Sequence, residues 1–327
     1  MKKHTQWFLV ILASLAIIGC GEIPTVQSAF LIGITPHADF ATTGKVDFTI
    51  LPKDEEGAAI IDAGLQIDMN VADPAGMTLA QLGVKEILPD PSAKLAATLN
   101  LDSSGSMRGN DPDRLRVKAA HAFIEQLGAG DKVAVCDFGS GRTPPFTKTR
   151  MLTDFTEDKT VAKAAADQVR ASGGTPMFKS IVEVLGYFDG KHPASSINRA
   201  LVVLGDGRPN GGGTLAQACD KAKQTGIRIN TVGFGPAADS SPRRSDSAVR
   251  TLRDLATCSG GAYTSVADAS ELQTAFANLG QAAKSGSVVV TVKLGPVPPK
   301  GTPVSGNIAI GNGMQAPIQL QYSFTAP

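Results

Sequence analysis

The chain has 327 residues, enough for about two domains. Its 31 basic residues nearly balance its 30 acidic ones, and a net charge of +1 lacks the basic excess that phosphate backbones select, which argues against nucleic acid as a partner. Hydrophobic residues at 42% suffice for a sizeable core, 35 Gly and 20 Pro call for many turns, and no repeat or coiled-coil period is visible.

Lys2 and Lys3 form a charged start, residues 7–18 a short apolar run, and Ile17-Ile18-Gly19-Cys20 closes it with a small residue before a cysteine. An apolar run of about twelve residues is too short to span a bilayer. The segment resembles the bacterial lipoprotein signal and its lipobox. The resemblance implies that residues 1–19 are a cleaved signal peptide, and that Cys20 carries acyl chains on its sulfur and amino group and anchors the protein to a membrane. Gly21 after the cysteine is compatible with outer-membrane sorting if the cell is Gram-negative, so the expected location is the bacterial cell envelope. Residues 20–29 read as the lipidated tether.

From Phe30 the chain alternates. Leu65-Gln66-Ile67-Asp68-Met69-Asn70-Val71 places apolar side chains on one face at period two, as a half-buried strand requires. Residues 45–51 and 83–88 are further strand candidates, and residues 288–294 and 318–324 repeat the habit near the C-terminus. The flanks 30–94 and 286–327 together have the size of one β-sandwich, so they are expected to pair into a single discontinuous one. The middle of the chain is inserted into it.

That middle, residues 95–285, changes rhythm. Short apolar runs at 96–101, 133–135, 200–204 and 227–232 read as buried strands. Between most of them lie helix patterns at 113–127, 159–171, 177–188, 215–225, 248–258 and 271–283. The alternation predicts an α/β domain with a doubly wound, mostly parallel sheet, whose ligands bind beyond the carboxyl ends of the strands.

Three segments there carry chemistry. Asp102-Ser103-Ser104-Gly105-Ser106 follows the first central strand, Ser172-Gly173-Gly174-Thr175-Pro176 precedes a helix, and Gly205-Asp206-Gly207-Arg208-Pro209-Asn210 ends an apolar strand. Carboxylates and hydroxyls are hard oxygen donors of the kind Mg²⁺ prefers, and two carboxylates leave a divalent ion electrophilic. The pattern Asp-x-Ser-x-Ser, distant Thr, distant Asp-Gly resembles the von Willebrand factor A (VWA) domain with its metal-ion-dependent adhesion site. The resemblance implies a Rossmann-like fold over 95–285 and a bound Mg²⁺, Mn²⁺ or Ca²⁺. It further implies that Ser104 and Ser106 hold the metal directly, Thr175 directly or through water, and Asp102 and Asp206 mostly through water. Gly205 departs from the family, which more often has Thr before Asp-Gly; as it is not a ligand, little is expected to follow.

No Gly-x-Ser-x-Gly elbow, P-loop or His-Glu-x-x-His segment occurs, and His37, His121 and His192 lack ligand spacing, so an enzyme is not expected. Export permits a disulfide, and Cys219 and Cys258 flank a strand on one side of the sheet. Several bacterial members of the resembled family carry a similar pair, which implies a bridge here, the alternative being two free thiols. Cys136 lies in a strand as small apolar filler. The expected function is a surface-tethered adhesion protein whose metal is completed by an Asp or Glu of a protein partner, with Arg243 and Arg244 on a loop at the metal's edge adding specificity. The alternative is a structural or assembly subunit of an envelope complex with a stabilising or vestigial metal site.

Overall fold

The computed structural model describes residues 24–37, 39–61, 64–87, 94–192, 198–235, 246–261, 263–265, 278, 286–313 and 315–326. The signal-like segment, Cys20, Arg243, Arg244 and nearly all of the helix expected over 271–283 lie outside the described residues.

The N-terminal flank forms β1 (Ser28–Pro36), the one-turn helix α1 (Phe40–Thr43), β2 (Lys45–Lys53), β3 (Gln66–Asp73) and β4 (Thr78–Ile87). The middle runs β5 (Leu95–Asp102), α2 (Met107–Asn110), α3 (Leu115–Glu125), β6 (Lys132–Phe138), β7 (Arg150–Thr156), α4 (Lys159–Ala166) and α5 (Met177–Lys191). It continues through β8 (Asn198–Gly205), α6 (Leu215–Thr225), β9 (Arg228–Gly233), α7 (Asp246–Ser259) and β10 (Tyr263–Ser265). The C-terminal flank adds β11 (Ser287–Gly295), β12 (Pro303–Gly311) and β13 (Ile318–Thr325).

One boundary differs from expectation. The tether expected over 20–29 gives way to the sheet before it ends: Val26 and Ala29 are buried, the Gln27 N–H donates to the Lys53 carbonyl at 2.9 Å, and β1 starts at Ser28. Polar Gln27 and Ser28 look like linker, but a ladder partner on β2 decides strand membership.

The two flanks share both of their sheets. β11 lies between β2 and β4 in the order β1-β2-β11-β4, and β12 lies between β13 and β3 in a second antiparallel sheet. Val46, Phe48 and Ile50 alternate inward from β2 beside Val288, Val290 and Val292, and meet Ile308, Ile310, Tyr322 and Phe324 of the other sheet. The Phe48 and Tyr322 rings touch edge to face with centroids 4.9 Å apart.

The central sheet has the order β10-β9-β8-β5-β6-β7, parallel except for β7 at one edge. All eight residues of β5 are buried, so both faces are covered. Leu95, Ala97, Leu99 and Leu101 pack with α3 and α4, whereas Ala96 packs with α5, α6 and α7. The chain winds outward from β5 through β6 and β7, then returns to β8 beside β5 and winds the other way. The gap between the carboxyl ends of β5 and β8 is therefore the switch point where open α/β sheets bind ligands.

Cys219 of α6 and Cys258 of α7 are joined by a disulfide with Cα atoms 5.5 Å apart, 39 positions apart in sequence. Closing a loop of that length restricts the unfolded chain, so the double variant Cys219→Ser/Cys258→Ser is expected to lose about 2–4 kcal/mol of unfolding free energy in urea titration. Cys136 is a buried free thiol, its Sγ 3.3 Å from Asn100 Oδ1. Among the described residues no helix is long and apolar enough to cross a membrane.

Candidate metal centre

Parallel pairing of β5 with β8 sets Leu101 opposite Leu204, and the next residues of each strand bring Asp102 and Asp206 to the same end of the sheet. Both are fully buried. After Asp102 the chain turns sharply: the Ser104 N–H donates to Asp102 Oδ1 at 2.8 Å, and Ser106 sits at the N-cap position of α2. This turn carries the Ser104 hydroxyl to within 3.0 Å of the Ser106 hydroxyl, which in turn donates to Asp206 Oδ2 at 2.5 Å. Four of the five expected residues thus form one connected group.

Thr175 stands on a loop bound to both neighbours. Gly105 N–H donates to the Gly173 carbonyl at 2.9 Å, tying the loop to the Asp-x-Ser-x-Ser turn. Asn210 ties it to the Asp206 loop, accepting from the Thr175 N–H at 2.7 Å and donating its own N–H to the Thr175 carbonyl at 2.9 Å. Thr175 is 2% exposed.

Three further residues bear on the site. Asn110, one helical turn after Ser106 on α2, donates Nδ2 to Asp206 Oδ2 at 2.9 Å. Asn210 locks two loops, as above. Gly205 matters more than its lack of a ligand atom implies, because a Cβ there would sit 2.8 Å from Asp102 Oδ2. The glycine admits the carboxylate in its observed position. Gly205→Ala is expected to displace Asp102 and weaken divalent-ion binding about tenfold, in the range seen when a supporting group of a metal site is disturbed, as read by calorimetry.

The electrostatics test whether this group fits a cation. Asp102 Oδ2 is buried with no hydrogen-bond partner. Burial and then the nearby Asp206 raise the Asp102 pKa from 3.8 to about 7, against the opposing pull of Ser104 and the Arg116 charge. An orphaned carboxylate oxygen, a second carboxylate and two hydroxyls in one buried group are what a hard divalent ion compensates. Among the described residues no three His, Cys, Asp or Glu converge, so the soft-ligand sites of zinc are not the chemistry on offer. The donor set fits Mg²⁺, Mn²⁺ or Ca²⁺.

Residues 98–278, more than half of the chain, match the von Willebrand factor type A domain. The chain belongs to that family. Type A domains are typically adhesion or protein-interaction modules rather than enzymes, and commonly bind a divalent metal. The chain is 28% identical over 171 residues to human calcium-activated chloride channel regulator 1, covering 52% of this chain and 17% of that protein. It is 26% identical over 232 residues to a UPF0353 protein of Mycobacterium marinum, covering 62% of this chain and 65% of that one. It thus spans less than two thirds of either relative. Among solved structures, a von Willebrand factor type A protein of Catenulispora acidiphila superimposes with a TM-score of 0.47 at 14% identity, over 96% of this chain and 76% of that one.

The three histidines set aside in the sequence lie apart from this group among the described residues. His121 faces Asp167 at 3.3 Å, His37 faces Asp47 at 3.0 Å, and His192 stacks its edge on Phe155.

Proposed function

We propose that this type A domain captures a protein partner through a divalent metal held by Ser104, Ser106 and Thr175 and steadied by Asp102 and Asp206, on a chain anchored to the cell envelope by lipid on Cys20. The observation that carries the reading is the connected group Ser104–Ser106–Asp206 beside the orphaned Asp102 oxygen, at the switch point of the sheet. Bound there, a hard cation supplies Lewis acidity toward an external carboxylate oxygen, such as an Asp or Glu of the partner. The chain's own part is to hold the donors. Asn110 and the Ser106 hydroxyl fix Asp206, the Ser104 N–H fixes Asp102, and Asn210 fixes the loop of Thr175.

The immobilised chain, challenged with envelope extract, is expected to retain a partner in Mg²⁺ and release it on chelation. Asp206→Ala is expected to retain none. Retention that ignores both chelator and Asp206→Ala supports the assembly-subunit reading instead.

A further inference from the structure

Beside the metal edge lies a cavity of about 280 Å³ whose walls include Arg108, Arg114, Arg116 and Arg170. Its floor is buried, with Met107 and Val169 at 0% exposure. The volume is near the low end for small-molecule sites, which suits a compact solute better than a peptide.

The charge here is unbalanced. Asp111 is the carboxylate in the lining, and it is taken by Arg116, whose Nη1 lies 2.6 Å from Asp111 Oδ2. The nearby Asp167 carboxylate faces His121 instead. Arg108, Arg114 and Arg170 have no carboxylate at ion-pair distance among the described residues. They donate to backbone carbonyls: Arg114 to Asp167 at 2.8 Å and Val169 at 3.3 Å, Arg170 to Asp167 and to Val169 at 2.9 Å, and Arg108 to Ala171 at 3.4 Å.

Capping the turn after α4 accounts for a part of this, but each guanidinium has five N–H donors and the carbonyls use few of them. Two buried donors lining the cavity, Arg114 Nε and Arg116 Nε, have no partner, and Arg116 is 2% exposed. Arg114 also holds a left-handed backbone at φ 54°, unfavourable for a residue with a Cβ, and thereby joins the cluster. Burial and then the neighbouring Arg170 and Arg116 charges push the Arg114 pKa down, against the opposing pull of Asp167 and Asp111.

We propose that this cavity is a binding site for a phosphate-bearing small molecule, separate from the metal centre. Planar forks from several arginines match the oxygens of a phosphate, and a dianion would offset most of the excess charge.

The test is calorimetry of inorganic phosphate into the full chain, in buffer stripped of divalent ions by resin. Saturable binding at millimolar phosphate or below is expected, about tenfold weaker in Arg170→Gln and Arg114→Gln, since each loses charge-assisted hydrogen bonds. Arg170→Lys should fall between, keeping the charge and losing the fork. Asp102→Ala should still bind phosphate saturably, which separates this site from the metal reading. Lys118→Gln, exposed on α3, removes an equal charge elsewhere and should change nothing. Arg108→Gln, also exposed, gives a pocket variant with no buried group at risk if the others fold poorly. Glycerol phosphate tells the sources apart: equal binding of both means that the free phosphate group suffices, tighter binding of the monoester means a headgroup or sugar phosphate. Absence of saturation, or an equal loss in Lys118→Gln and Arg170→Gln, overturns the proposal.

Discussion

Asp111→Ala is expected to lower the unfolding free energy by about 3–5 kcal/mol, the range seen when one partner of a buried ion pair is removed. Arg116 and Asp111 side chains are 2% and 0% exposed, so the guanidinium would lose its carboxylate in a buried setting. The same carboxylate accepts the Leu115 N–H at 2.5 Å and the Arg116 N–H at 3.1 Å, two donors in the first turn of α3 that have no partner within the helix. Alanine therefore strands a buried guanidinium and two N–H groups together. Asp111→Asn keeps a capping oxygen while losing the charge, and should fall between wild type and alanine in urea titrations. The loss reaches the metal edge too, because Asp111 follows Asn110, the donor that holds Asp206.

A second large effect concerns pH. In the metal-free protein Asp102 has a pKa near 7, against an ordinary 3.8 that it regains on unfolding. Between those values the native state binds more protons than the unfolded state, so this group makes stability fall as pH rises through the window. The full penalty above pH 7 is on the order of 4 kcal/mol, because the charged form is buried beside Asp206. Above pH 7 a cation offsets that penalty, whereas below pH 7, where the native carboxyl is protonated, it must displace a proton. Metal-induced stabilisation, measured as the unfolding midpoint with Mg²⁺ minus that with chelator, should therefore be small near pH 5 and grow toward pH 8. Taking the difference cancels other titrating groups, including Asp137, whose pKa burial also raises. In Asp102→Ala the growth with pH should flatten.

Much of this was legible from residue patterns. The short, fully apolar run at 200–204 reads as a strand covered on both faces, and α6 starts and ends where its pattern does, between the Thr214–Gln217 capping box and Gly226 in a left-handed conformation. The five spaced donors pointed to one strand end because parallel sheets gather such loops there. What escaped has physical reasons. β7 pairs at an edge, with side chains only partly buried, and its sequence Arg-Met-Leu-Thr-Asp-Phe-Thr has no clean period. The one-turn α2 is too short to show a period at all, yet it sets Asn110 on Asp206. Gly205 carried no signal, since what it contributes is space for a carboxylate from another strand. The arginine cavity joins α2, the start of α3 and the turn after α4, segments that the chain separates by about a sixth of its length and that only packing brings together.

The most direct test of the metal reading is calorimetry of Mg²⁺, Mn²⁺ and Ca²⁺ into wild type and Asp102→Ala at pH 8, run beside thermal unfolding with and without chelator. Wild type should bind at least one of these ions at millimolar concentration or tighter and unfold at higher temperature when loaded. Asp102→Ala should stay folded, bind about 10- to 100-fold more weakly, and gain little from the ion. A wild-type chain that neither binds nor is stabilised by millimolar Mg²⁺, Mn²⁺ or Ca²⁺ would contradict the account.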